Sequence, residues 1–326
     1  MRPTARLSRR SARGTVMGSP MILEDVSVVI PTVGRPLLRE CVESLVASAA
    51  WPAELVVVDQ SRSTEIAGHL DELRHRGLHT THLPMGGTGI AAAMNHGLRR
   101  VRTSLVAVTH DDCRVDEHWL QRLRDRISPD GPVVVTGRVV PEAGHEVPSV
   151  ITSTTPATYT RPPVDTDVLF PANMLFPASV WDAVGPMDED PLLARAAEDN
   201  EWAYRVLRAG IPIVYEPRAV VVHLAWRGEA ELADVLWTYA RAQGAFYGKY
   251  VRRADLHLAR RAALDLGRAL WWLMRGSVLR DRTLARRGRA GTVGLVQGFL
   301  SGIFRARPLV GPVGPGGPRS DDRSQP

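Results

Sequence analysis

From Val26 onward the chain alternates two kinds of segment, and this alternation restricts its fold more than any other feature. Short β-branched runs, VSVVI, LVVVD, HTTHL, SLVAV and PVVVTGRVV, are separated by amphipathic stretches such as PLLRECVESLVASA, TEIAGHLDELRHR, GIAAAMNHGLRRV and DEHWLQRLRDRI. Strand-like runs spaced by helical patterns predict βαβ units, and hence an α/β three-layer sandwich with a mostly parallel central sheet. Ligands of such sheets sit beyond the carboxyl ends of the strands. The polar residues gather there: Pro31 and Thr32 after the first strand, Asp59 after the second, Gly86, Gly87 and Gly89 after the third, and THDDC (Thr109 to Cys113) after the fourth.

Glu142 to Val168 is rich in Thr, Pro and Ser without a clear period and reads as a long loop or irregular insertion. Regular structure is expected again at DVLFPANMLF, a helix PASVWDAV, a helix AAEDNEWAYRVLRAG closed by Gly210, and two short strands, IPIVY and AVVVH, the second ending at His223. This divides the chain into an arm over residues 1–22, an α/β domain over 23–226, a helical region over 227–308 and a tail over 309–326, the arm and the tail being expected to be disordered.

Charge follows the same division. Residues 1–20 carry five Arg and no acid, residues 21–223 carry 18 basic against 27 acidic residues, and residues 224–326 carry 18 against 8. A basic tail on an acidic body does not suit a nucleic-acid-binding domain, whose positive charge lines the folded working face; it suits a membrane surface. On a helical wheel His257, Arg260, Arg261, Arg268 and Arg275 fall on one side, and Leu256, Ala259, Ala263, Leu266, Leu270, Leu273 and Met274 on the other, with Trp271 and Trp272 at the boundary. Two arrangements satisfy this pattern: an interfacial anchor, or a helix packed on the body with its Arg face in water. No window reaches the apolar length of a membrane span. The two cysteines, Cys41 and Cys113, have no paired-ligand spacing, so a reducing cytoplasm is expected.

Adjacent carboxylates at a strand end repel unless something neutralises them, and a hard divalent cation, Mg²⁺ or Mn²⁺, is one candidate, because it takes oxygen ligands and leaves sites for phosphate. Asp111 and Asp112 could equally cap the loop before the next helix. Asp59 can accept a hydrogen bond from a nucleobase imide; Asn95 lies in GGTGIAAAMNHGL, a Gly-rich turn into a helix that lets a ribose or diphosphate approach. Glu198 and Asp199 open a helix, and His223 offers a nitrogen ligand. Gly87, Gly89 and Ala92 also fit the G-x-G-x-x-A spacing of a dinucleotide turn, but that fingerprint belongs on the first βα turn, which here is PTVGRP.

Taken in order, VSVVIPTVGRP, LVVVDQS, GGTGIAAAMNHGL, VTHDDCRVDEHWL, PANMLF, AAEDNEWAYRVLRAGI and AVVVH resemble the inverting family 2 glycosyltransferases with the GT-A fold. The resemblance covers Val26 to His223. It implies that Pro31, Thr32, Arg35, Asp59 and Ser61 surround the base and ribose of a nucleoside-diphosphate sugar, a UDP or dTDP sugar, with Gly89 and Asn95 facing the nucleotide. The family's acidic signature falls on His110, Asp111 and Asp112, anchored by Trp119. His110 stands where the family has its first acid, Asp111 takes the middle place, and Asp112 with His223 takes a divalent metal. Asp199 takes the place of the catalytic base, with Glu198 its neighbour. An inverting transfer needs one base and one charge-neutralising cation, without the second carboxylate of glycoside hydrolysis. The QxxRW signature of processive members is absent from the sequence, which implies single-sugar addition.

The expected function is transfer to a lipid-linked or cell-envelope glycan at the cytoplasmic face of the membrane. A sugar nucleotidyltransferase would carry an Arg/Lys-rich loop where PTVGRP offers only Arg35, and a non-catalytic scaffold would not need Asp112, Asp199 and His223 together.

Overall fold

The computed structural model describes residues 20–311, leaving out 62, 88, 146, 148, 195 and 228. Most of the arm and the tail expected at the two ends lies outside the described residues. Met21 and Ile22, assigned above to the arm, instead open the first strand.

The first half follows the βαβ pattern. β1 (Met21–Thr32), β2 (Ala50–Asp59), β3 (Thr80–Pro84) and β4 (Leu105–Val108) are parallel in the spatial order β3-β2-β1-β4, with α1 (Leu37–Val46), α2 (Glu65–His75) and α3 (Ile90–Arg100) between them. Side chains alternate across the sheet. Val28, Ile30, Leu55 and Val57 pack on one face with α1 and α2, while Val29, Val56 and Val58 pack on the other with α3. The chain between β1 and α1 turns at Gly34, φ +84°, where a Cβ would lie 2.6 Å from that of Ser61.

Beyond β4 the sheet becomes mixed. β5 (Cys113–Val115), α4 (Trp119–Arg124), β6 (Val134–Pro141), β7 (Ala157–Tyr159), a 3-10 turn (Pro171–Asn173), β8 (Met174–Pro177), α5 (Ala178–Val184), α6 (Glu198–Arg208) and β9 (Ile213–His223) follow in order. The sheet continues β4-β8-β6-β9-β5, and β7 pairs with β9. The two strands expected at IPIVY and AVVVH are one continuous strand, β9, irregular opposite Gly137 and Arg138. β5 pairs antiparallel with its end and sets Cys113 opposite His223.

Three long helices complete the molecule: α7 (Glu229–Val251), α8 (Leu256–Val278) and α9 (Arg282–Arg305). They are packed into the body. Phe246, Tyr250 and Leu258 share a buried cluster with Leu193 and Tyr204. Lys249, the only lysine and fully buried, pairs with Asp188 and Asp190, and the Tyr250 hydroxyl donates to Glu201 at 2.5 Å. The α7–α9 contact runs over glycines: a Cβ on Gly298 would meet the Arg241 carbonyl oxygen at 1.9 Å, and one on Gly302 the Ala245 carbonyl oxygen at 2.2 Å.

α8 divides its polar side: Arg260, Arg268 and Arg275 are exposed, as in the water-facing Arg arrangement, but Arg261 turns inward. Arg261 is 8% exposed, whereas Leu256, Leu270, Trp271, Met274 and Val278 point outward, with Val296, Leu300 and Phe304 of α9 also exposed. Part of the polar side therefore faces inward, and much of the apolar side faces outward.

Two glycines give opposite expectations. Gly298→Ala drives a methyl into backbone and should destabilise by about 3 kcal/mol, while Gly267→Ala, mid-α8 with open space around it, should stabilise by about 0.5–1 kcal/mol; urea unfolding of both variants measures the pair.

Candidate active site

One cavity of about 1100 Å³ runs from the carboxyl end of the sheet to the C-terminal helices. Pro31, Thr32, Arg35 and Gly89 line one end together with His110, Asp111, Asp112 and His223, and Glu198 and Asp199 line it further along.

The two acids sit in a turn closed by the Cys113 N–H donating to the His110 carbonyl oxygen at 3.1 Å, and their side chains leave it toward different partners. Asp111 turns toward β1, where the Thr32 hydroxyl donates to Oδ2 at 2.7 Å and Arg35 donates to Oδ1 at 2.6 Å. Burial raises its pKa above the usual carboxylate range against the opposing pull of Arg35. Asp112 turns toward the end of β9, with Oδ2 at 3.7 Å from His223 Nε2 and accepting from Trp226 Nε1 at 2.9 Å. Burial pushes this carboxyl up as well, but His223, His110 and Trp226 outweigh it and hold it below the usual range. His223 Nδ1 lies 3.2 Å from the Ser149 carbonyl oxygen and donates to it, while Nε2 faces the Asp112 carboxylate. Trp226 is held between two guanidinium groups, Arg35 at 4.5 Å and Arg227 at 4.0 Å from its ring centre.

His110 is half-buried with its Nε2 fully enclosed, and desolvation lowers its pKa to about 4, so the ring is neutral at physiological pH. Its Nε2 has no hydrogen-bond partner. Phe170 packs against both imidazoles, 5.8 Å from His110 and 5.9 Å from His223. Among the described residues no three His, Cys, Asp or Glu side chains already surround a common point for a metal. The donor set nonetheless fits a divalent cation: a low-pKa carboxylate, an imidazole oriented by a carbonyl, and an orphaned buried nitrogen on the same wall.

Glu198 and Asp199 open α6, a position where acids also favour the helix dipole. Burial raises Glu198 to about 7, and Asp199 is raised well above its ordinary value by burial and by the charge of Glu198. Asp199 Oδ1 accepts from the Asn200 backbone N–H at 2.8 Å, and Glu198 Oε2 has no partner among the described residues. The pair is therefore a proton-accepting site facing the cavity.

Three residues of the nucleotide set sit differently from expectation. Asn95 is fully buried on the inner side of α3; its amide holds Met187 N and O at 2.8 and 2.9 Å and Glu189 at 2.8 Å, so it braces the loop before α6 and does not face a nucleotide. Asp59 spends Oδ1 on the Ser61 N–H and hydroxyl, at 2.7 and 2.6 Å, and Oδ2 on His82 at 3.0 Å. Asp59 and Ser61 shape the cavity edge from behind, and the residue between them, Gln60, lines it and accepts the Gly89 N–H at 2.6 Å. Trp119 is fully buried and donates to Asn173 at 2.8 Å. Sequence reasoning missed Gln60, whose only signal was its place after a strand end, Trp226 and Arg227, which follow AVVVH, and the site role of Tyr239 and Gln243 in the segment YARAQGAFYGKYVRR, which also resembles the continuation found in many bacterial members of the family.

A mixed sheet with its acids gathered at one carboxyl edge, opening on a long cavity with a separate buried acid pair, places a ligand site where α/β sheets carry theirs. Residues 27–171 match the sequence model of Glycosyl transferase family 2. Over these residues the chain is similar to the family 2 glycosyltransferases, and its fold is of the GT-A type. No curated protein sequence matches it. The fold is similar to mannosyltransferase PcManGT from Pyrobaculum calidifontis, solved with GDP-Man and Mn²⁺, at 15% identity and TM-score 0.56 over 86% of this chain and 87% of that one. It is also similar to S. aureus TarS 1-349 in complex with UDP-GlcNAc, at 15% identity and TM-score 0.51 over 83% and 92%. At such identities these likenesses show the fold alone.

The raised acid pair gives a signed pH dependence. Between the ordinary Glu value of 4.5 and about 7 the folded state keeps a proton on Glu198 that the unfolded chain has released. Its stabilising contribution is therefore complete below pH 4.5 and lost as pH rises to about 7. Glu198→Gln should raise the melting temperature at about pH 8 more than at about pH 5, as read by thermal denaturation.

Proposed function

We propose that the protein is a metal-dependent inverting glycosyltransferase that moves one sugar from a UDP or dTDP sugar to a hydroxyl of a lipid-linked or cell-envelope glycan. The supporting observation is the single cavity that both acidic groups line. Asp199, aided by Glu198, accepts the proton of the acceptor hydroxyl, whose oxygen attacks the anomeric carbon in line as the bond to the nucleoside diphosphate breaks. Burial and the neighbouring charge of Glu198 raise the proton affinity of this carboxyl above the ordinary value. Asp112 and His223 would hold Mg²⁺ or Mn²⁺, which supplies neutralising charge for the departing diphosphate. Thr32, Arg35, Gln60 and Gly89 form the donor's wall. Mn²⁺ and nucleotide sugars in the similar solved structures support the donor class.

Titration calorimetry of UDP, dTDP, GDP and CDP, with Mn²⁺ and then with EDTA, tests this reading. One nucleotide should bind only with the metal and bind at least about tenfold more weakly to Asp112→Ala. Asp199→Asn should keep that binding and lose about 10³-fold in turnover. Failure of all four nucleotides to bind would sink the donor assignment.

Placement at the inner face of the plasma membrane is the second part of the proposal. It rests on the outward apolar side of α8 and α9 and on the exposed Arg260, Arg275, Arg286, Arg289 and Arg305 around it, a combination suited to anionic headgroups. Arg275 stacks on Trp271 at 5.0 Å. Among the described residues no helix is long and apolar enough to cross a membrane, so contact would be peripheral. Each large side chain buried in lipid contributes about 1.5–3 kcal/mol, and a Trp271→Ser, Met274→Ser, Phe304→Ser variant should lose at least about tenfold in co-sedimentation with phosphatidylglycerol vesicles.

A further inference from the structure

The far end of the cavity is built from the C-terminal helices, and nothing in the donor site uses it. Arg261, Asp265, Arg268, Ala269 and Trp272 of α8 line it at helical spacing, so one complete face of that helix is a cavity wall. A run of hydrogen bonds ties this wall to the catalytic helix. Asn200, next to Asp199, donates to Gln243 at 2.9 Å; Gln243 donates to the Tyr247 hydroxyl at 2.8 Å; and Tyr247 donates to Asp265 Oδ2 at 2.5 Å. Arg268 holds the other oxygen, Oδ1, at 3.2 Å. Asp265 is thus fixed while it faces the open space.

Arg261 carries the clearest sign of a missing ligand. Its terminal nitrogen pairs with Asp167, yet its buried Nε has no hydrogen-bond partner, the nearest carboxylate oxygen, on Asp265, being 3.9 Å away. A buried N–H left unpaired costs about 1–3 kcal/mol, so an oxygen delivered there is favoured. Trp272, half-buried, adds an indole to the same wall.

Charge balance decides what kind of oxygen arrives. Arg261, Arg268 and Arg287 are matched by Asp165, Asp167 and Asp265, three against three, all lining this end. No net positive field remains to hold a phosphate. Donors and acceptors interleaved beside an aromatic face suit a neutral, hydroxyl-rich ring, whose C–H face covers an indole while its hydroxyls bond to guanidinium and carboxylate.

We propose that this wall is the acceptor-sugar subsite, in which a neutral pyranose stacks on Trp272 and hydrogen-bonds to Asp265, Arg268 and Arg261, presenting a hydroxyl toward Asp199. The proposal rests on the transferase reading above and adds the chemical class of the acceptor group and the residues that select it. Trp272 and Asp265 are specificity residues.

Saturation-transfer NMR on the full chain, with Mn²⁺ and the nucleotide that binds, tests it against methyl glycosides of glucose, galactose, mannose, rhamnose and N-acetylglucosamine. At least one should receive saturation. Its affinity should fall about tenfold in Trp272→Ala, recover largely in Trp272→Phe, and stay unchanged in Trp271→Ala, whose indole is on the outer side. Asp265→Asn should also weaken it, while nucleotide affinity stays within about twofold in every variant. Glycoside binding that survives Trp272→Ala, displacement of the glycoside by inorganic pyrophosphate, or nucleotide binding with no glycoside bound would each overturn the subsite. Absence of nucleotide binding would instead overturn the transferase reading beneath it.

Discussion

The pairing of Cys113 with His223 is the constraint on which the donor end of the cavity depends. β5 has only three residues, yet it joins the segment after β4 to the last strand of the sheet and brings Asp112 beside an imidazole from the far end of the domain. The same turn sends Asp111 the other way, onto Thr32 and Arg35. Two like charges adjacent in sequence are thereby given separate partners, and their pKa values move in opposite directions. Neither carboxylate depends on the other for neutralisation, which leaves Asp112 as the strong acceptor available to a cation.

The C-terminal helices answer a different constraint. An arginine-rich helix ordinarily keeps its charges in water and its leucines in the core. α8 departs from this in part: Arg261 is buried in the cavity wall, while Leu256, Leu270, Trp271, Met274 and Val278 are exposed. α7 and α9 meet through glycines whose backbones nearly touch, a small-residue contact beside which Leu295 and Phe299 of α9 pack inward while Val296, Leu300 and Phe304 remain exposed. Buried ties such as Lys249 with Asp188 and Tyr250 with Glu201 make the three helices inseparable from the α6 end of the body.

How far sequence reasoning reached follows from what each signal encodes. β-branched runs separated by amphipathic stretches encode burial directly, and β1, β2, β4 and β6 fall where those runs stand. A three-residue edge strand such as β5 has no period to detect, and a bend within β9 looks the same as a gap between two strands. Helical spacing revealed both sides of α8 but not which side faced inward, because that depends on α7 and α9. Asn95 shows the limit of motif position: the turn at Gly89 does face the cavity, but a residue further along α3 points where the helix directs it, into the loop around Met187.

Trp271 and Trp272 show how the two ends of the proposed reaction are joined. They are neighbours on one helix, about 100° apart, and the first is 48% exposed on the outer side while the second lines the cavity. A helix wall thin enough to present one indole outward and the next inward places the apolar outer side and the polar cavity within a single side-chain layer of each other. An acceptor whose sugar must stay in water while its carrier stays in lipid requires such an abrupt change of polarity. A rigid α8, braced on both flanks, provides it without any moving part, so the glycine packing of α7 against α9 also sets the geometry of the acceptor end.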